Sequence, residues 1–84
     1  MRIAVRYLGP ASSFSNTASD VLEFDRPVSL QQVLDTITAR HNYNFTPPAW
    51  ALLLEGRGVA NENWAGILIE ADAEITILPH LSGG

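Results

Sequence analysis

One stretch of this chain repeats its apolar residues at helical spacing, and it limits the fold more than any other feature. Leu30, Val33, Leu34 and Ile37 recur at i, i+3, i+4 and i+7, a single apolar stripe on one helix face. Ser29 and Gln32 stand three apart, the spacing of a capping box in which each side chain satisfies an orphan amide of the other's backbone. Val28 and Val33 occupy the two positions of a hydrophobic staple. Arg40 and His41 fall in the last turn, where positive charge suits the helix dipole, and Asn42 is the expected stop. A helix apolar on one side only must lay that side on a sheet.

The rest of the chain supplies strands. Residues 2–8 alternate with period two, which puts Ile3, Val5 and Tyr7 on the core face and leaves Arg2 and Arg6 solvated. Residues 9–16 are rich in turn formers and long for a hairpin loop, so a mobile connection is expected. A second strand, about residues 19–25, directs Leu22 and Phe24 inward and Glu23 outward. After the helix, residues 43–48 read as a loop that Pro47 and Pro48 stiffen. A third, central strand is expected over residues 50–55, with Leu52 and Leu54 toward the core and Leu53 outward. Gly56 and Gly58 flank Arg57 in a turn, and Val59 and Ala60 suit a very short fourth strand. Residues 61–65 enter a brief helical or turn segment that Ile67, Leu68 and Ile69 continue, and residues 74–78 form the last strand. The fold class is α+β: a mixed sheet of four to five strands crossed by one helix. The two terminal strands are most simply placed side by side and parallel, which is the β-grasp arrangement. The same element order is also compatible with other α+β packings.

Several kinds of chemistry are excluded or unsupported. The chain has 84 residues, enough for one small domain, and no cysteine, so disulfides, thiolate metal sites and a cysteine nucleophile are absent. Its five basic residues are all arginines, scattered along a chain of net charge −4, so nucleic acid is not an expected partner. No apolar run approaches a membrane span and no secretory signal pattern opens the chain, so a cytoplasmic location is expected. On the same ground the sequon at Asn44 carries no glycan expectation. His41 and His80 are the only histidines, and no metal cluster forms around them. Ser12, Ser13 and Ser15 have no nearby base, Trp50 and Trp64 read as packing residues, and Asp72 and Glu74 read as a turn and a solvated strand face. No bound cofactor is expected.

After the last strand come Pro79, His80, Leu81, Ser82, Gly83 and Gly84. Residues 1–78 are read as the folded domain and 79–84 as a tail. Pro79 cannot donate to a ladder, so pairing should weaken there. Glycines lack a Cβ, so Gly83 and Gly84 would let another backbone approach closely. Strand parity places Leu8, Leu53 and Leu78 on the outward face beside the tail, an apolar patch suited to a partner.

The whole chain resembles the ubiquitin-like β-grasp proteins, and within them the MoaD/ThiS sulfur carriers. Residues 1–8 look like ubiquitin's first strand, Ser29 to Val33 fall where that fold begins its helix, and Leu52 to Gly56 fall on the third strand and its turn. Residues 75–84 are most similar to MoaD-type carriers, which end in a similar proline-containing, serine-glycine-glycine tail. Residues 59–65, with Trp64, resemble a segment of ThiS proteins. The chain departs from MoaD in lacking an Arg-Glu pair after the first strand, in the turn around Ala71, Asp72 and Ala73, and at His80, where MoaD generally has proline. Those departures leave thiamine, cysteine and other sulfur pathways open beside molybdopterin synthesis.

The resemblance implies that Gly84 is the reactive residue. An E1-like enzyme of the MoeB/ThiF type would adenylate it with ATP, and sulfur would then convert it to a thiocarboxylate. Leu8, Leu53, Leu78, Pro79, His80, Leu81, Ser82 and Gly83 would contact the partners, among them a sulfur-accepting synthase such as the large subunit of molybdopterin synthase. The chain would be a co-substrate rather than an enzyme. Two alternatives share the fold: a modifier joined to target lysines through Gly84, and a plain interaction module that does not use its diglycine. With no lysine of its own, the chain has no side chain to accept an isopeptide bond.

Overall fold

The computed structural model describes residues 1–45 and 49–80. The order is β1 (Arg2–Tyr7), α1 (Pro10–Ser15), β2 (Ser19–Glu23), β3 (Val28–Ser29), α2 (Leu30–His41), β4 (Trp50–Leu54), β5 (Arg57–Gly58), a 3₁₀ turn (Asn61–Asn63), β6 (Leu68–Ile69) and β7 (Ala73–Pro79). Five strands form the main sheet in the order β2-β1-β7-β4-β5, and β3 pairs with β6 in a small second sheet. β1 runs antiparallel to β2 and parallel to β7, so the strands nearest the two chain ends lie side by side as expected.

The helix starts and stops where its residues dictate. The Ser29 side chain accepts from Gln32 N at 3.1 Å, and Ser29 N donates to Gln32 Oε1 at 2.7 Å, closing the capping box. Asn42 takes the left-handed conformation at φ 52° and ends α2. Leu30, Val33, Leu34 and Ile37 are buried against Ile3, Val5, Ile75, Ile77 and Leu52 of the sheet. Val28 joins this core, with Phe24 packed half-buried at its margin. Trp50 and Trp64 are packing residues, as their sequence positions suggest.

Three local expectations are corrected. Residues 10–15 are a short helix rather than a loop, because Ala11 and Ser15 are buried. Pro10 sits at the helix start and the Ser15 hydroxyl reaches the Ala11 and Thr17 carbonyls. Leu68 and Ile69 do not extend a helical segment: they pair with Ser29 and Val28, and Ile69 enters the core. The short strand after β4 is Arg57–Gly58 rather than residues 59–60, because the hairpin turns on two residues only. Those residues, Glu55 and Gly56, have φ of 52° and 80°, the paired positive angles of a type I′ turn. β4 is therefore next to the edge, with two-residue β5 outside it. The expected stiffness of Pro47 and Pro48 and the sequon at Thr46 lie outside the described residues.

Candidate functional site

β7 is the central strand, with β1 on one side and β4 on the other. Ile75 and Ile77 point into the core, so Glu74, Thr76 and Leu78 point to the opposite face. Across from them lie Ala4 and Arg6 of β1 and Ala51 and Leu53 of β4, in the registers Arg6↔Thr76, Leu53↔Thr76 and Ala51↔Leu78. Leu8 follows the buried Tyr7, and its N–H donates to Ile77 O at 2.9 Å. Leu8 is 46% exposed, and Leu53 and Leu78 are half-buried. Leu53 and Leu78 thus share the outward face, set diagonally across β4 and β7, and Leu8 follows β1 beside the end of β7. The other end of that face is polar: Arg6 Nη1 lies 3.7 Å from Glu74 Oε1.

The exit of β7 is more ordered than a proline suggests. Pro79 stands opposite Trp50, and His80 N donates to Ala49 O at 2.9 Å. Glu55 N likewise bonds Glu74 O at 2.9 Å, so by alternation the nitrogen of Pro79 faces away from β4. On that side the pairing with β1 has ended at Tyr7 and Leu8. Toward β4 no ladder bond is lost at Pro79; on the β1 side the ladder stops there, where residue 79 would be the next donor and Leu8 O accepts from Ala11 N at 3.1 Å instead. Leu81, Ser82, Gly83 and Gly84 lie outside the described residues.

Two features went unread in the sequence. A groove of about 650 Å³ opens beside β4, lined by Trp50, Leu52, Leu53, Val59, Trp64 and His80 among others. The second is a charged clasp on the helix side of the sheet. Asp20 pairs with Val5 and so points inward, where its carboxylate accepts from the Tyr7 hydroxyl at 2.8 Å. It also accepts from Arg40 Nη1 at 3.3 Å and contacts His41 Nε2. Burial pushes the Asp20 carboxyl up, but hydrogen bonds from His41 and Tyr7 and the charges around it hold it below the usual range. Burial first, and then Asp20, push the Tyr7 phenol well above its ordinary value. The clasp joins β1, β2 and the end of α2, a structural task. Among the described residues no group of three or more His, Cys, Asp or Glu is placed to hold a metal ion. No described helix is long and apolar enough to cross a membrane.

No protein-family model and no curated protein matches the chain. Solved structures do. The small archaeal modifier protein 1 of Haloferax volcanii superposes with a TM-score of 0.79 at 15% identity, covering 100% of both chains. Subunit 1 or 2 of the molybdopterin-converting factor of Helicobacter pylori, solved as a complex of the two, gives 0.68 at 17% identity, again over 100% of both chains. The thiamine biosynthesis protein ThiS of Geobacter metallireducens gives 0.63 at 12% identity and the same coverage. The chain has the β-grasp fold of the MoaD and ThiS proteins and the small archaeal modifiers. In this β-grasp protein the inward face of β7 is committed to the core, while on its outward face Glu74 is exposed and Leu78 is half-buried.

Proposed function

We propose that the chain is a ubiquitin-like sulfur carrier whose Gly84 carboxylate is activated by an E1-like enzyme and converted to a thiocarboxylate. The observation that supports this reading is the placement of β7: a central strand, in the β-grasp fold shared with MoaD and ThiS, ends at Pro79 with the half-buried Leu78 on its outward face. A carboxylate is a poor electrophile. Attack of its oxygen on the α-phosphorus of ATP forms an acyl-adenylate and releases pyrophosphate. Hydrosulfide then adds at the carbonyl carbon; a C–S bond forms, the C–O bond to AMP breaks, and AMP leaves with its electron pair. The sulfur of the product is a better nucleophile than the oxygen it replaced and attacks substrate in a partner's active site.

On this reading the chain is a co-substrate that binds no cofactor of its own, works in the cytoplasm, and leaves ATP to the activating enzyme. Leu8, Leu53 and Leu78 meet partners, and Pro79 to Gly83 thread the catalytic channel. Molybdopterin synthesis is the favoured pathway, with a synthase large subunit as acceptor; the two-subunit Helicobacter pylori complex supports a partner of that kind. Thiamine or another sulfur pathway follows. The second reading, a modifier joined to target lysines through the same adenylate, is favoured by the likeness to small archaeal modifier protein 1.

Intact-protein mass spectrometry tests the proposal, using ATP, the host's E1-like enzyme and a sulfide donor. A gain equal to exchanging one oxygen for sulfur, absent when Gly84 is deleted, is expected. Lysine-linked adducts in host lysate without that gain would move the chain to the modifier class. Neither change with an active E1-like enzyme would overturn both.

A further inference from the structure

The main sheet has two edges, and they are finished differently. At one, β5 is only two residues long; at the other, β2 runs five residues in unbroken register with β1. Phe24 N donates to Met1 O at 3.0 Å and Tyr7 N to Ala18 O at 2.9 Å, so alternate residues of β2, Asp20 and Leu22, direct their backbone groups to β1. Ser19, Val21 and Glu23 therefore direct theirs off the edge. Among the described residues, the group that meets them is the Thr17 hydroxyl, which donates to Ser19 O at 3.0 Å. An unpaired edge invites a further strand, and proteins usually blunt it with lysine, proline or a bulge. β2 has none of the three. Its one guard is the inward carboxylate of Asp20, which the clasp with Tyr7, Arg40 and His41 already occupies.

The side chains of the edge select the strand that fits. Val21 is 53% exposed on the outward face, with Ser19 and Glu23 exposed on either side of it. Antiparallel pairing with β2 of a second copy, about a two-fold axis at Val21, sets Val21 against Val21 and Ser19 against Glu23. An aliphatic pair then meets across the axis, each carboxylate faces a hydroxyl, and no like charges stand opposite one another. The acids of the edge also bring their own cations: Arg2 Nε lies 2.8 Å from Glu23 Oε1, and Arg40 Nη1 3.3 Å from Asp20 Oδ1. The net charge of −4 on each copy is thus carried by elements other than β2, and salt screens it. We infer that two copies pair their β2 strands antiparallel and join their five-stranded sheets into one. The axis stands perpendicular to the sheet, so both α2 helices lie on one side. β7 is the third strand from this edge, so Leu53 and Leu78 stay uncovered, and the pairing holds whatever the chain carries.

Sedimentation of the purified chain from micromolar to millimolar concentration tests the inference, with hydrogen exchange read at single amides. A monomer–dimer equilibrium strengthened by salt is expected, in which exchange at Val21 and Glu23 slows as the dimer fills. Val21→Lys puts two like charges across the axis and should weaken association about tenfold or more. Val21→Ile, which stays β-branched and apolar, should keep it. A monomer at every concentration would overturn the inference, as would a dimer that a folded Val21→Lys variant forms equally well. Concentration-dependent protection at Gly58 instead of Val21 would assign the contact to the opposite edge and overturn it too. Protection of Val21 only on adding the activating enzyme, with the chain itself monomeric, would give the edge to that partner and against a second copy. If Val21→Lys fails to fold, exchange in the parent chain decides.

Discussion

Trp50 stands directly opposite Pro79, the residue at which the last strand ends. The indole is buried and meets Phe45 edge-on at a centroid distance of 5.1 Å, with Phe14 and Tyr43 also edge-on at 5.7 and 6.0 Å. It ties β7's exit to α1 and to the segment after α2. Trp50→Ala should cost about 3–5 kcal/mol, the usual penalty for emptying a buried indole site. A domain this small has little more than that to lose. Urea denaturation checks it, and a loss below about 1 kcal/mol would mean that the aromatic cluster closes over the gap.

Asp20→Asn should destabilise by about 1–3 kcal/mol, because a charged acceptor shared by Tyr7, His41 and Arg40 becomes a neutral one. The pH dependence follows from the direction of the Asp20 shift. Its carboxyl is lowered in the folded state, so its stabilising contribution is complete above the ordinary aspartate value. That contribution is lost as pH falls through the lowered native value. Thermal melts from neutral pH into acid should therefore fall more steeply for the parent chain than for Asp20→Asn. Parallel curves would show that the carboxylate adds nothing.

Asp20 also shows what the sequence held and what was passed over. Period-two alternation that sends Leu22 inward sends Asp20 inward too, so a carboxylate on the core face was legible. Its partners were not, since nothing local brings His41 to it from 21 residues away. The capping box at Ser29, the stop at Asn42, β1 and its parallel pairing with β7 were all readable, because each follows from local chemistry or a strong period. α1 and β6 were not. Gly9, Pro10 and the serines carry turn chemistry, and only the burial of Ala11 and Ser15 against the sheet end makes that stretch a helix. Ile67, Leu68 and Ile69 are three apolar residues in a row, which have no period; the pairing with Val28 and Ser29 decides them. Among the leucines, parity put Leu53 and Leu78 on one face, as the β4–β7 register does, whereas the groove depends on how Trp64 returns toward β4.

The two-residue turn at Glu55 and Gly56 gives a pair of predictions of unequal size. Gly56 has φ of 80° with open space where a Cβ would go, so Gly56→Ala is penalised by backbone conformation alone, about 1–2 kcal/mol. Glu55 already bears that strain at φ 52°. Glu55→Gly relieves it but loses the Glu55 Oε1 acceptor for Glu74 N at 3.1 Å, so the net change should stay within about 1 kcal/mol. Chemical denaturation of both variants separates the cases. Equal losses would mean that the side-chain bond outweighs the turn.

Leu53 separates a docking surface from a core. It is half-buried on the outward face of β4, opposite Thr76 and diagonal to Leu78, while its neighbours Leu52 and Leu54 turn toward the core. Leu53→Asp should therefore cost no more than about 1 kcal/mol of stability, as for a surface position. A carboxylate placed in the apolar patch would have to be stripped of water by any protein covering it, and that penalty falls on binding alone. Adenylation by the host's E1-like enzyme should then show a raised KM with kcat little changed, since Gly84 is untouched. Leu53→Met, which keeps the patch apolar, should restore the parent KM. A loss of stability of several kcal/mol in Leu53→Asp would instead place Leu53 in the core. An unchanged KM in a folded variant would remove this face from the recognition of the activating enzyme.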